Sequence, residues 1–175
     1  MNKQNFEYIR KPVVLEVFPT LNCNVWCTHC DRGEESSELE DFGDCAVLLE
    51  QLRADPSFEL HHIRISGREP LVYSRINGLI GFLHDLFPQK KVEIFSNGIA
   101  AKVLSKESLE KSVLAISVYP YTRARLAKNR DLYHIVKDPA YKTFLVDVDH
   151  HEDIRRPGTV RNDFNPFSFC FSLFC

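Results

Sequence analysis

Apolar residues along the chain form short runs that alternate with segments of helical period. The runs are four to six residues long and rich in β-branched side chains, which is typical of strands in a buried sheet. The runs occupy residues 13–18, 62–66, 92–95, 114–118, 132–137 and 143–148. Between most of them, apolar residues recur every third or fourth position, as they do on one face of a helix. The pattern therefore predicts alternating strands and helices.

Capping residues mark where the helices begin. We expect Asp44 to start a helix that reaches about Ala54, and Ser74 and Ser105 to cap two more. The apolar face of the first helix is predicted to hold Cys45, Leu48, Leu49 and Leu52. That of the second is predicted to hold Ile76, Leu79, Ile80, Leu83 and Leu86. Cys45 is accordingly interpreted as a core residue.

The segment 132–137 has two interpretations. It would continue a helix that is expected at 122–128, because its apolar residues suit either period. However, Asn129-Arg130-Asp131 is typical of a turn. We therefore expect a fifth strand at 132–137 and a sixth at 143–148.

Polar motifs follow the ends of the first four predicted strands. Strands that alternate with helices of this length imply βαβ units and a parallel sheet. In such a sheet the carboxyl ends of the strands lie along one edge, where these folds carry their chemistry. Cys23, Gly67, Asn97 and Tyr119 each follow one of these strands. The sequence therefore predicts that one edge of the sheet collects them all.

Composition excludes several classes of protein. The chain has 175 residues, 44% of them hydrophobic, and a formal net charge of −2, which fits one globular domain. No basic field indicates DNA binding. The uncharged stretches are far shorter than the roughly 20 residues that a membrane helix needs, and the polar N-terminus does not resemble a secretion signal. We therefore interpret the six cysteines as reduced thiols of a cytoplasmic protein.

Three of the cysteines lie within eight residues. Cys23, Cys27 and Cys30 have the spacing C-x3-C-x2-C. Soft thiolates suit zinc, copper(I) or iron–sulfur clusters. An iron–sulfur cluster of four irons would keep one iron without a protein ligand, open to a substrate or cofactor. A structural zinc site would need a remote fourth ligand, for which the candidates are Cys45, Cys170 and His62.

The cysteine motif after the first strand resembles the cluster motif of radical S-adenosylmethionine (SAM) enzymes. His29 precedes the last cysteine, a position that lies by the adenine in that family. Ser66-Gly67-Arg68-Glu69-Pro70 ends the second strand and is similar to the family's Gly-Gly-Glu-Pro motif, whose backbone and Glu hold the methionine amino group of SAM. Arg68 departs from the family, which usually has Gly there. If the position needs a positive φ, Arg68 costs energy.

Two weaker similarities concern the third and fourth strands. Ser96-Asn97-Gly98 is similar to the family's Thr-Asn-Gly, although Asn97-Gly98 alone indicates a plain turn. Ser117 and Tyr119 lie where the family often places polar residues near the ribose and the methionine carboxylate.

The resemblance implies a fold, two cofactors and a reaction. The fold is α/β, a partial (β/α)6 TIM-like barrel with a parallel sheet, over residues 1–150. Cys23, Cys27 and Cys30 would hold a [4Fe-4S] cluster, and S-adenosyl-L-methionine would chelate the remaining iron. The implied SAM-binding residues are His29, Ser66, Gly67, Arg68, Glu69, Pro70, Ser96, Asn97, Ser117 and Tyr119. Reductive cleavage of SAM needs an electron donor such as flavodoxin or ferredoxin. The substrate is unknown, and a peptide is the favoured class.

The Phe-rich tail, residues 151–175, has no clear pattern. Cys170 and Cys175, spaced C-x4-C, resemble the opening of the auxiliary-cluster extension (SPASM or twitch) of peptide-modifying members, here truncated. Alternatively, both cysteines are core residues. The alternatives for the chain as a whole are a zinc or iron–sulfur module without catalysis, and an inactive fragment. His150 and His151, beside several acidic residues, are interpreted as a solvated loop.

Overall fold

A computed structural model describes residues 12–25, 45–56, 58–147 and 169–173. The strands in these ranges are β1 (Pro12–Val17), β2 (Glu59–Ile65), β3 (Val92–Ser96), β4 (Ser112–Val118), β5 (Lys142–Asp147) and β6 (Phe169–Leu173). The helices are α1 (Ala46–Ala54), α2 (Ile76–Leu86), α3 (Lys106–Lys111), α4 (Pro120–Ala127) and α5 (Arg130–Lys137). Two 3₁₀ turns span Pro70–Val72 and Ala101–Val103.

The strands form one parallel sheet in the order β5-β4-β3-β2-β1-β6. Each of the first four strands lies beside the next strand of the chain, as βαβ connections produce, whereas β6 lies beside β1. The α/β class and the parallel sheet predicted from the sequence are confirmed. Of the helices in the described ranges, none combines the length and the apolar character that crossing a membrane requires.

The core lies between the sheet and the helices that follow its strands. Alternate residues of β2, β3 and β4 are buried against α2 and its neighbours, among them Ile63, Ile94 and Leu114. The five apolar positions predicted for α2 are all buried. In α1 the prediction is correct for Cys45 and Leu49, which are buried, and wrong for Leu48, which is 43% exposed. Asp44, the expected cap, lies outside the described residues.

The opposite face of the sheet carries charged side chains, among them Arg64 and Glu93. Arg64 on β2 lies 3.7 Å from a Glu93 carboxylate oxygen on β3, in register with it, and its guanidinium carbon lies 4.5 Å from the centre of the Phe95 ring. The sheet thus separates an apolar face from a polar one.

The predicted strand at 132–137 is wrong, because these residues belong to helix α5. The Asn129 side-chain oxygen accepts a hydrogen bond from the Leu132 N–H at 3.1 Å, which caps the helix instead of making a turn. Leu132 and Ile135, three residues apart, are both buried in the core. The predicted sixth strand therefore corresponds to β5.

The tail contributes a strand that the sequence pattern did not predict. Phe169–Leu173 pairs in parallel with β1, and Cys170 lies in register with Val14. This strand belongs to the same sheet as the other five strands of the described residues. Cys175, His150 and His151 lie outside the described residues.

Cys45 is disulfide-bonded, which differs from the expectation that all six cysteines are reduced thiols.

Gly98 and Gly81 offer a matched test of this packing. Gly98 has a φ of +73°, and a Cβ there would lie 2.8 Å from the Ile116 Cγ2 atom. Gly81 lies in α2, and a Cβ there would meet no atom within 4 Å. We expect Gly98→Ala to lower the free energy of unfolding by about 2–4 kcal/mol, from strain plus overpacking. Gly81→Ala should raise it by about 0.5–1 kcal/mol. Urea denaturation of both variants checks this, and equal effects would contradict the geometry.

Candidate functional site

The loops that follow β1, β2 and β3 meet at the carboxyl edge of the sheet. Cys23, in the loop after β1, is partly buried and is a thiol rather than half of a disulfide. Cys27, Cys30 and His29 lie outside the described residues. Of the predicted metal ligands, the structure therefore locates Cys23.

The turn after β2 approaches the loop after β1 closely. Gly67 has a φ of +125°, and a Cβ there would lie 3.0 Å from the Thr20 carbonyl oxygen. The Ser66 hydroxyl donates to a Glu16 carboxylate oxygen at 2.6 Å, and the Ser66 N–H donates to the Val17 carbonyl. The left-handed conformation that favours glycine thus occurs at Gly67.

The Glu69 carboxylate is the buried centre of this edge, with 0% of the residue exposed. Its Oε1 accepts hydrogen bonds from the Ser96 hydroxyl at 2.7 Å and from the Leu71 N–H at 3.0 Å. Its Oε2 accepts a third from the Asn97 N–H at 2.8 Å. The side chain therefore joins the turn after β2 to the end of β3.

Burial raises the pKa of Glu69 above its ordinary value of 4.5, because removal from water disfavours the charged form. The hydrogen bonds from Ser96, Asn97 and Leu71 oppose this rise. A carboxylate with three donors satisfies most of its hydrogen-bonding capacity within the chain. Its geometry suits holding the backbone of the edge in place.

Two further hydrogen bonds tie this centre to the cysteine loop. The Glu69 N–H donates to the Asn22 carbonyl at 3.2 Å. The Asn97 side-chain NH₂ donates to the Asn24 side-chain oxygen at 2.8 Å, and Asn24 is the residue after Cys23. Asn97 also accepts from the Ile99 N–H at 3.0 Å. The backbone around Cys23 is thus fixed by the strand ends of β2 and β3.

The other predicted SAM-binding residues that the structure describes lie along the same edge of the sheet. Pro70 is buried and opens a 3₁₀ turn, and Arg68 is partly buried. Ser117 lies in β4 and is partly buried. Tyr119 precedes α4, and its N–H donates to the Thr122 hydroxyl at 3.1 Å. The predicted gathering of these strand ends at one edge agrees with the observed topology.

Two of the remote zinc ligands that the sequence left open, His62 and Cys170, lie within the sheet and away from its carboxyl edge. His62 and Cys170 are both in register with Val14, three residues before the end of β1, which places them roughly 10 Å from the carboxyl edge. The His62 Nδ1 lies 3.5 Å from Glu93, and burial lowers the pKa of His62 below 6.5. Among the described residues, no group of three or more His, Cys, Asp or Glu side chains is placed to hold a metal ion.

Sequence reasoning missed Asn22, Asn24, Glu16 and Asn129. Asn24 lies inside the cysteine motif, so its position was visible although its role was not. Asn129 was interpreted as part of a turn, yet its side-chain NH₂ donates to the carbonyls of Gly98 and Ile99 at 3.4 and 3.1 Å. These are pairings between residues distant in sequence, which spacing does not reveal.

Comparison with known proteins yields one curated relative and several solved structures of similar fold. A GTP 3',8-cyclase from Nautilia profundicola is 24% identical over 148 residues, covering 79% of this chain and 46% of the cyclase. BtrN, in a crystal structure with AdoMet and 2-DOIA, has a TM-score of 0.52 at 20% identity, over 81% of this chain and 58% of BtrN. Native anSMEcpe with bound AdoMet and the Kp18Cys peptide has a TM-score of 0.52 at 15% identity, over 77% of this chain and 42% of its own. No protein-family model matches the chain.

The chain spans about half the length of the curated relative that it matches. The two structural likenesses show a shared fold. They cover 81% and 77% of this chain, so the likeness extends over most of it.

The burial of Glu69 predicts a pH dependence of stability. Because its pKa is raised in the folded state, its contribution to stability is complete at low pH and is lost as the pH rises through that raised pKa. We therefore expect the stability of the wild type relative to Glu69→Gln to decrease as the pH rises above 4.5. Urea denaturation between about pH 4 and 8 measures this difference.

Glu107 provides the control of opposite sign. It is exposed, and a hydrogen bond and ion pair with Lys111 at 2.8 Å lower its pKa. The stability of the wild type relative to Glu107→Gln should therefore decrease as the pH falls. The same trend in both variants would show that burial does not control Glu69.

The hydrogen bond between Asn97 and Asn24 should restrict the motion of the loop that carries Cys23, so its removal should make this loop more mobile. Asn24→Ala removes the acceptor, whereas Asn24→Asp keeps an oxygen that accepts from the Asn97 NH₂. Asn24 is exposed, so both variants should fold. Hydrogen–deuterium exchange of residues 20–25 should be roughly three- to tenfold faster in Asn24→Ala, the value of one hydrogen bond, and near the wild type in Asn24→Asp. Equal exchange in all three proteins would mean that this bond does not hold the loop.

Proposed function

We propose that this chain, which belongs to the radical SAM superfamily, binds a [4Fe-4S] cluster through Cys23, Cys27 and Cys30 and cleaves SAM reductively. The substrate would lose a hydrogen atom to the product of that cleavage. The curated relative and the structural neighbours are radical SAM enzymes, which supports the general class. The cluster, the ligands and the substrate are part of the proposal.

The observation that carries the proposal is the hydrogen-bonded link between the Glu69 turn and the cysteine loop. The Asn97–Asn24 bond and the Glu69–Asn22 bond bring the two most specific motifs of the sequence to one edge of the sheet. Neither motif is near the other in sequence. Their convergence is what a site needs if it is to hold a cluster and SAM side by side.

The donor set fits an iron–sulfur cluster. Thiolates are the ligands that such clusters take, and three of them leave one iron for a ligand that the protein does not supply. Cys23 is a partly buried thiol at the point where the loops meet. When bound, the cluster would supply one electron to the sulfonium of SAM, whose 5′ C–S bond would break to give methionine and a 5′-deoxyadenosyl radical.

The residues of the chain would bind and orient SAM. Because the Glu69 carboxylate already accepts three hydrogen bonds, we assign it the task of fixing the backbone that faces the methionine amino group. Asn97 and Ser96 would act with it, since each is bonded to Glu69. The remaining proposed contacts with SAM are His29, Ser66, Gly67, Arg68, Pro70, Ser117 and Tyr119.

The partners follow from this chemistry. An electron donor such as flavodoxin or ferredoxin would reduce the cluster, and the protein would act in the cytoplasm. A peptide is the proposed substrate class, supported by the peptide bound to anSMEcpe, a protein of the same fold. Cys170 and Cys175 are proposed to belong to an auxiliary-cluster extension.

Cysteine variants test the metal site. Each of Cys23→Ala, Cys27→Ala and Cys30→Ala should abolish iron and sulfide binding, because a thiolate ligand is lost. Cys45→Ala should keep both and lose about 2–4 kcal/mol of stability, since it removes a disulfide as well as a side chain packed in the core. Metal and sulfide analysis after anaerobic reconstitution measures this. Stoichiometric zinc in place of iron would favour the non-catalytic module.

SAM cleavage tests the enzyme. Under dithionite, the reconstituted wild type should release 5′-deoxyadenosine, and Glu69→Ala should release it more slowly while keeping its iron. The loss of the fixed backbone should weaken SAM binding by roughly ten- to a hundredfold. Arg68→Gly restores the usual family residue, and tighter SAM binding there would show that Arg68 impairs the pocket.

A complete lack of SAM binding with an intact cluster would contradict the enzyme and favour an inactive fragment. Calorimetry measures the binding and chromatography the 5′-deoxyadenosine. Equal SAM affinity in the wild type and Glu69→Ala would reject the role assigned to Glu69.

A further inference from the structure

Strand β5 lies at one end of the described sheet. On one side it pairs with β4, where Ala115, Ile116 and Ser117 are in register with Phe144, Leu145 and Val146. On its other side no strand of the described ranges pairs with it. We call this side the β5 edge, formed by Lys142–Asp147. Its backbone N–H and C=O groups offer a template for a further strand.

The apolar side chains of β5 are exposed to an unusual degree. Phe144 is 58% exposed, Leu145 59% and Val146 46%. Because neighbouring residues of a strand point to opposite faces, exposed apolar side chains occur on both faces of β5. Proteins usually protect an edge strand with charges, proline or a bulge. Here Lys142 and Asp147 stand only at the two ends of an apolar run.

The segment that ends in this strand carries an excess of positive charge. Residues 120–147 contain six basic and three acidic residues, an excess of +3 in a chain whose net charge is −2. Helix α5, which precedes β5, packs against it, and α4 packs against α5. The basic side chains are all exposed: Arg123, Arg125, Lys128, Arg130, Lys137 and Lys142.

The positive charge and the exposed apolar side chains together favour one kind of ligand for the β5 edge. A second copy of this chain would bring the same positive excess to a two-fold interface, where like charges repel. A nucleic acid would suit the charge but would face three apolar side chains and an open strand backbone. An extended acidic peptide with apolar residues suits the charge, the side chains and the backbone.

We propose that the β5 edge binds an extended acidic peptide, which adds to the sheet as a further strand. Its backbone would pair with residues 142–147, its apolar side chains would cover Phe144–Val146, and its carboxylates would face the basic residues of α4 and α5. This inference is independent of the cluster and SAM, and the protein without cluster suffices to test it.

The test is titration of the purified chain with a fluorescein-labelled peptide of alternating Glu and Val, followed by anisotropy. We expect saturable binding that weakens several-fold when salt rises from about 0.05 to 0.5 M, because screening reduces charge attraction. The same peptide with alternate backbone nitrogens methylated keeps its charges but loses donors, and should bind at least roughly tenfold more weakly.

Paired variants locate the site. Phe144→Ser/Leu145→Ser should weaken binding roughly tenfold or more, by loss of apolar contact. Val47→Ser/Leu48→Ser is the matched control, because these side chains are 64% and 43% exposed on α1. It should bind as the wild type does. Circular dichroism of both variants should match the wild type, since the replaced side chains are exposed.

Several results would overturn the proposal. They are absence of binding, equal binding of the methylated peptide, and an equal loss in the α1 control. Self-association that Phe144→Ser/Leu145→Ser abolishes would identify a second copy as the occupant. Competition of the peptide by a single-stranded oligonucleotide that depends on Phe144 and Leu145 would identify a nucleic acid.

Discussion

The Glu69 carboxylate binds together the loops from which the proposed site is built. A carboxylate has two oxygens with several lone pairs, so it can accept from two backbone N–H groups and a hydroxyl at once. Here the donors belong to the turn after β2 and to the end of β3. No apolar side chain could make these bonds, and burial without them would be costly. The edge therefore depends on this one acid for its shape.

Glu69 also influences the position of the cysteine loop, through a chain of two hydrogen bonds. Glu69 fixes Asn97, and Asn97 holds Asn24, which neighbours Cys23. Glycine is needed where the loops touch, at Gly67 against Thr20 and at Gly98 against Ile116. A rigid edge of this kind reduces the entropy that the protein would lose on binding a cluster and SAM. The exposed β5 edge, at one end of the same sheet, has no comparable network among the described residues.

The sequence predicted the parts of the fold that depend on local periodicity. The face of α2, the first four strands and the gathering of Cys23, Gly67 and Asn97 at one edge followed from apolar period and parallel topology. The segment 132–137 was misinterpreted, because its apolar pattern suits both periods and the capping role of Asn129 depends on a three-dimensional contact. The Asn97–Asn24 bond joins residues 73 positions apart, and β6 pairs with β1 from the far end of the chain. No local pattern encodes such pairs.

The central claim is that SAM binds the iron that Cys23, Cys27 and Cys30 leave without a protein ligand. Electron–nuclear double resonance of the dithionite-reduced protein, with SAM carrying ¹⁵N in its amino group, measures that contact directly. The account predicts a hyperfine coupling between the cluster and the labelled nitrogen in the wild type. A reduced cluster whose spectrum shows no such coupling at saturating SAM would contradict it.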